Sequence, residues 1–203
     1  LLLRDDETLE SRLGAIAAEA AAAVRDGATL LVLDNRAAGA AIPGLLAAGA
    51  VHQQLVKAGL RMQSSIALAD GYARDAHSIA TLLGAGANVV TPWLAARVAR
   101  QRGLEADFLG ASRTGLLKVL AKLGICTLRS YARAQPFETL GLAREVVERC
   151  FPAMRAHLPA VGFDALERDV RAWHAASQSE SGPLPDRGTF RFRRDGARRA
   201  FAP

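Results

Sequence analysis

Three polar side chains in the second half of the chain carry types that could do chemistry: Lys122, Gln135 and Glu138. A Lys or a Gln can hold a substrate carboxylate or a cofactor carbonyl by hydrogen bonds. The plain alternative is a solvated Lys at a helix end, with Gln and Glu in the first turn of the next helix. A second pair, Arg74 and His77, lies three residues apart, which would put both on one helix face near its start. His titrates near neutrality and Arg grips anions, so the pair could act on a charged ligand or stand as a surface Arg beside a hydrogen-bonded His. Asp34 and Arg36 end a strand and could line a crevice, though an ordinary loop ion pair is favoured. Gly84-Ala85-Gly86-Ala87 follows a helix rather than a strand and lacks a third glycine, so it fails the context for dinucleotide binding. His52 sits in an apolar helix and reads as a packing histidine. Cys126 and Cys150 form no metal-type pair, and no metal is expected.

The elements that must position these groups follow from periodicity. Leu9, Leu13, Ile16, Ala20 and Val24 recur at helical spacing, giving a helix over residues 6–25 that stops at Asp26-Gly27. The apolar run 29–33 predicts a strand covered on both faces. Pro43 opens a helix to Lys57. Residues 65–69 predict a strand, 73–83 a helix, 89–90 a short strand and 92–100 a helix. Further on come a helix over 113–123, a strand over 125–128, a short helix over 136–140, and helices over 143–150 and 163–175. Alternation of this kind implies crossovers, hence an α/β fold with a parallel sheet flanked by helices on both faces. Ligands of such sheets gather at the carboxyl ends of the strands, here Asp34-Asn35-Arg36, Asp70-Gly71 and Thr91-Pro92. Ser177 to Pro185 reads as a linker. Thr189 to Phe201 alternates apolar and basic residues around Asp195-Gly196, a hairpin pattern.

Bulk composition narrows the classes. Half of the 203 residues are hydrophobic, enough for a packed core. No apolar run reaches the roughly 18–20 residues that span a bilayer, and the leading leucines lack a basic stretch before them, so neither membrane nor signal peptide is expected. Two cysteines suit reduced thiols in a cytoplasmic protein. The chain begins without Met and is expected to be a fragment of a longer polypeptide. The net charge of +6 derives largely from Arg187, Arg191, Arg193, Arg194, Arg198 and Arg199. With Phe190 and Phe192 between them, these fit a hairpin that turns Phe inward and Arg outward better than a nucleic-acid surface.

The run from Gly115 to Tyr131, continuing through Ala134-Gln135-Pro136-Phe137-Glu138 to Leu142, resembles a stretch of the glutamate synthase large subunit at the junction of its central and flavin-binding domains. The likeness extends to Gly27–Arg36, Ile42–His52, Asp70–His77, Leu82–Ala87, Thr91–Ala95 and the Arg-Arg-Asp-Gly tail, in the same order. The family's SYRGAQ stands here as Ser130-Tyr131-Ala132-Arg133-Ala134-Gln135, so Arg133 occupies the family's Gly position. The resemblance implies an α/β central domain over 1–110, the junction and first elements of an FMN-binding (β/α)8 synthase barrel over 111–176, and the linker with basic hairpin over 177–203. It implies an oxidoreductase that makes L-glutamate from glutamine-derived ammonia and 2-oxoglutarate by flavin-dependent reduction. This piece would serve mainly as scaffold between the amidotransferase and synthase sites. It also implies that Lys122, Gln135 and Glu138 stand near the barrel opening, with FMN and an iron–sulfur cluster held mostly elsewhere. The expected partners are the remaining domains of the large subunit, with a small reductase subunit or ferredoxin as donor. The alternative is a divergent, non-catalytic α/β module that has lost the flavin site.

Overall fold

The computed structural model describes residues 1–178. Residues 179–203, with the expected hairpin, lie outside the described residues.

Helix α1 (Leu9–Arg25) starts at Thr8, whose hydroxyl accepts the Ser11 N–H, and presents Leu9, Leu13, Ile16, Ala20 and Val24 to the core. Strands β2 (Leu30–Asp34), β4 (Ser65–Ala69) and β5 (Val89–Thr91) form a parallel sheet in that order, with Leu31 opposite Ile66 and Leu68 opposite Val90. Helix α2 (Gly44–Lys57) crosses from β2 to β4, and α3 (Ala76–Ala85) from β4 to β5. A short antiparallel ladder joins β1 (Leu2–Leu3) to β3 (Ala40–Ala41).

The strand order advances in one direction, so crossovers of a single hand put α2 and α3 on the same face. That face buries Leu31, Leu33, Ile66 and Leu68. Among the described residues the other face does not receive helices as the alternation suggested: Leu30, Val32 and Val89 point outward with 55%, 61% and 54% exposure. Helix α2 is the centre of the packing. Ten of its residues are buried, and its glycines let neighbours approach closely. A Cβ on Gly49 would stand 2.6 Å from the Cys150 carbonyl oxygen and 2.7 Å from the Phe151 ring.

Other boundaries differ from expectation for identifiable reasons. Asp75 caps α3 by accepting the Ser78 N–H at 2.7 Å, which leaves Arg74 outside the helix. Helix α4 (Trp93–Gln101) is followed by α5 (Glu105–Lys122), longer than the 113–123 expected because Glu105 and Asp107 supply an acidic first turn. Ile125–Leu128 forms no strand. Thr127 instead caps a single turn, α6 (Leu128–Tyr131), so the expected barrel opening is not formed at those residues. Residues 136–140, expected helical, lead into β6 (Glu138–Leu142). This strand pairs in parallel with β7 (Arg155–Val161) across α7 (Arg144–Cys150), and α8 (Phe163–Ser177) closes the described chain.

Candidate functional site

The residues singled out by type fall in separate places. Arg36 Nε and Nη2 meet Asp34 at 2.8 and 2.5 Å, and the Arg36 N–H bonds the same carboxylate, so the two form an exposed loop pair. The hydrogen bonds from Arg36 hold the Asp34 carboxyl below its usual range. Arg74 edges an apolar cleft of about 650 Å³ between α4 and α5. His77 is turned away, edge-on to the Phe137 ring at 5.9 Å. Lys122 is exposed at the end of α5, and Glu138 is exposed on β6 with His157 Nε2 at 3.6 Å. Gln135 is buried. Its N–H donates to the Gly84 carbonyl at 3.1 Å, and its side-chain oxygen accepts the Ala153 N–H at 3.0 Å.

Lys122, Gln135 and Glu138 stand apart from one another as folded. Gln135 has its carbonyl engaged by a backbone amide, and no hydrogen bond or ion pair joins any two of the three among the described residues. Nor do the described residues hold a group of three or more His, Cys, Asp or Glu placed for a metal ion. Cys126 is exposed, whereas burial pushes the Cys150 thiol up to about 12, which makes it structural rather than nucleophilic.

Two polar clusters bracket the parallel sheet instead. At its carboxyl edge, Asn35 Nδ2 donates to Asp70 Oδ1 at 2.6 Å, and Asn35 Oδ1 accepts from the Gly71 N–H at 3.0 Å and Trp93 Nε1 at 2.9 Å. Asp70 is 2% exposed, and its pKa is raised by desolvation against the opposing pull of bonds from Tyr72, Asn35 and Gly44 N–H groups. A Cβ on Gly44 would come within 2.8 Å of the Asp70 carboxyl, so only glycine lets the α2 start approach this acid. The cluster ties the ends of β2 and β4 to the start of α4. Its members lie 35 and 58 residues apart in sequence, so local patterning located the edge but not the linkage.

At the amino edge, Arg61 is buried with its guanidinium fixed on four neutral acceptors: His52 Nδ1 at 2.9 Å, the Ser64 carbonyl at 2.6 Å, and the Gly86 carbonyl and Asn88 Oδ1 at 2.9 Å each. Desolvation, then the charges of Arg61 and Arg133, lower the His52 pKa to about 4 and keep it a neutral acceptor. Burial and the nearby Arg133 lower Arg61 to about 10. Asn88 Oδ1 also accepts the Ile66 N–H, joining this cluster to β4. Type and spacing gave no signal for Arg61, whose partners come from three separate segments. The position where the resemblance has Gly, Arg133, has φ of 71°, in the left-handed region.

The family described as "Glutamate synthase central domain" matches residues 2–143. The large chain of an NADPH glutamate synthase from Azospirillum brasilense is 36% identical over 211 residues, covering 96% of this chain and 14% of that protein. A chloroplastic ferredoxin-dependent glutamate synthase from Spinacia oleracea is 35% identical, covering 93% of this chain and 13% of its own length. The NADPH glutamate synthase large chain of Bacillus subtilis is 32% identical across 97% of this chain. The chain thus spans about one-seventh of the length of these relatives.

Proposed function

This chain belongs to the glutamate synthase family through its central domain, and from that premise we propose that it is a scaffold segment of an enzyme making L-glutamate from glutamine-derived ammonia and 2-oxoglutarate. The observation that carries the scaffold reading is the uncovered apolar face of the parallel sheet, Leu30, Val32 and Val89, on a chain one-seventh the length of its relatives. A contiguous apolar face is costly in water and marks where another part of the polypeptide packs. On this reading the segment holds an amidotransferase site and a synthase site in fixed register and helps shield ammonia in transit. The close helix contacts at Gly49 and Gly84 suit that rigidity.

FMN supplies the hydride chemistry of such an enzyme when bound, and an iron–sulfur cluster relays electrons. On this reading both are held mostly by the remaining domains. Residues beyond 143 lead toward the synthase domain. Among the polar candidates, Gln135 acts as a positioning residue that pins the loop before β6 to α3 and to Ala153. Lys122 and Glu138 face solvent and are available to the adjoining domain. Electrons come from a small reductase subunit or from ferredoxin, and the enzyme works in the cytoplasm. No helix of the described residues is long and apolar enough to cross a membrane.

The reading is tested by the size of the native polypeptide in its source cell, detected with an antibody to this segment, together with its visible flavin spectrum. A chain several times longer that carries flavin is the expected result. A polypeptide of about 21.5 kDa without flavin would overturn it and favour the divergent, non-catalytic module.

A further inference from the structure

At the amino edge of the parallel sheet, a cavity of about 530 Å³ opens among Thr29, Arg61, Ser64, Asn88, Arg129 and Arg133. Its charge is one-sided. Three guanidiniums line it and no carboxylate does, and among the described residues none of the three is in an ion pair. Arg61 cannot turn away, because its Nε, Nη1 and Nη2 are all fixed on the neutral acceptors described above. A buried cation held by neutral acceptors alone lacks the counter-charge that normally offsets its desolvation.

Two further features mark this cavity. The Ser64 hydroxyl is buried beside this cavity and has no hydrogen-bond partner among the described residues, which is uncommon for a group of its kind. Arg133 is held beside Arg61 in a backbone conformation that non-glycine residues rarely adopt, with φ of 71°. Its N–H donates to the Leu83 carbonyl at 3.0 Å, and two residues later Gln135, also at positive φ, bonds Gly84. Both carbonyls belong to α3. The fold therefore carries backbone strain in order to set one guanidinium close to another of like charge.

We propose that this cavity is a site for a phosphate dianion, free or as a phosphate monoester, held by the forks of Arg129 and Arg133 with the fixed charge of Arg61 beside them. Guanidinium forks match phosphate oxygens and several can engage one tetrahedral dianion from different sides. A single carboxylate would leave much of this charge unanswered. The reading is independent of the reaction proposed for the whole enzyme.

The test uses the full-length polypeptide. Phenylglyoxal modification of Arg129 and Arg133 is followed by peptide mass spectrometry at constant ionic strength, with inorganic phosphate, phenyl phosphate or chloride added. The expected result is a saturable, severalfold slowing of both modifications by phosphate or phenyl phosphate and none by chloride. Tighter protection by phenyl phosphate would identify a monoester as the ligand, and tighter protection by inorganic phosphate the free ion. The variant Arg133→Gly removes one guanidinium while relieving the left-handed strain, so it should fold. Protection of Arg129 should then need about tenfold more phosphate. Equal effects of chloride and phosphate would overturn the proposal. So would arginines that are unreactive under every condition because another part of the polypeptide fills the cavity, or unchanged protection in Arg133→Gly.

Discussion

Replacing Asn35 by Ala should be among the most damaging single changes in the domain. The side chain is 3% exposed and makes three hydrogen bonds that tie β2, β4 and α4 together. Its bond to the Asp70 carboxylate, at 2.6 Å, is charge-assisted. Its loss costs about 1.5–3 kcal/mol, because Asp70 stays buried with one donor fewer. The Gly71 N–H and the Trp93 indole N–H each lose an acceptor, adding about 1 kcal/mol apiece. The total is about 3.5–5 kcal/mol, a large part of the roughly 5–15 kcal/mol that holds a typical domain together. Denaturant unfolding followed by tryptophan fluorescence reads the change, and the Gly71 amide should exchange its hydrogen faster. Asn35→Asp sharpens the test. It would put a second carboxylate against Asp70, so its cost should grow as pH rises above the carboxylate range. A change within about 0.5 kcal/mol for Asn35→Ala, the range of an ordinary surface substitution, would refute the view that this cluster clamps the sheet edge.

Glycine substitutions should separate by what stands opposite. Gly49→Ala drives a Cβ against the Cys150 backbone carbonyl, which cannot rotate away, and should cost about 1–3 kcal/mol in denaturant melts. Gly14→Ala meets only the mobile end of Arg149 and should be neutral or stabilising by up to about 1 kcal/mol, since alanine favours the helix. Acidification should weaken the domain through His52. Its folded pKa of about 4 lies below the unfolded value of 6.5, so the stabilisation is complete above pH 6.5 and is lost as pH falls toward 4. That amounts to at most about 3 kcal/mol, read as the difference between the pH profiles of wild type and His52→Gln. Arg133→Gly, freed from left-handed strain, should unfold at higher denaturant by about 1 kcal/mol of stability; a loss instead would show that Arg133 contributes bonds that outweigh its strain.

Much of the architecture was legible in local pattern. The helical spacing of Leu9, Leu13, Ile16, Ala20 and Val24 marked α1, and the apolar runs marked β2 and β4. The error there was physical rather than local: an apolar run shows that a strand is hydrophobic, not which of its faces this segment covers. The region after α5 misled because its signals compete. Thr127 could begin a helix or belong to a strand, and its capping of Ser130 decided for a turn. Pro136, where a short helix over 136–140 is expected to begin, instead follows Gln135 at φ of 45° and leads into β6. β7 contains Pro159, which weakens its strand signature. The polar clusters could not be read at all from spacing. Arg61 finds His52, Gly86 and Asn88 only once the sheet and helices have assembled. Gln135, by contrast, stood out by type and proved to be a buried structural tie.

The most direct test of the scaffold account is coupling in the full-length enzyme with Leu30→Glu and Val32→Glu on the open sheet face. Glutamate formation would be measured separately with glutamine and with added ammonia, alongside ammonia released to solution. The account predicts that ammonia-supported synthesis persists while glutamine-supported synthesis falls and free ammonia accumulates. Unchanged glutamine-supported synthesis with no leakage would contradict it.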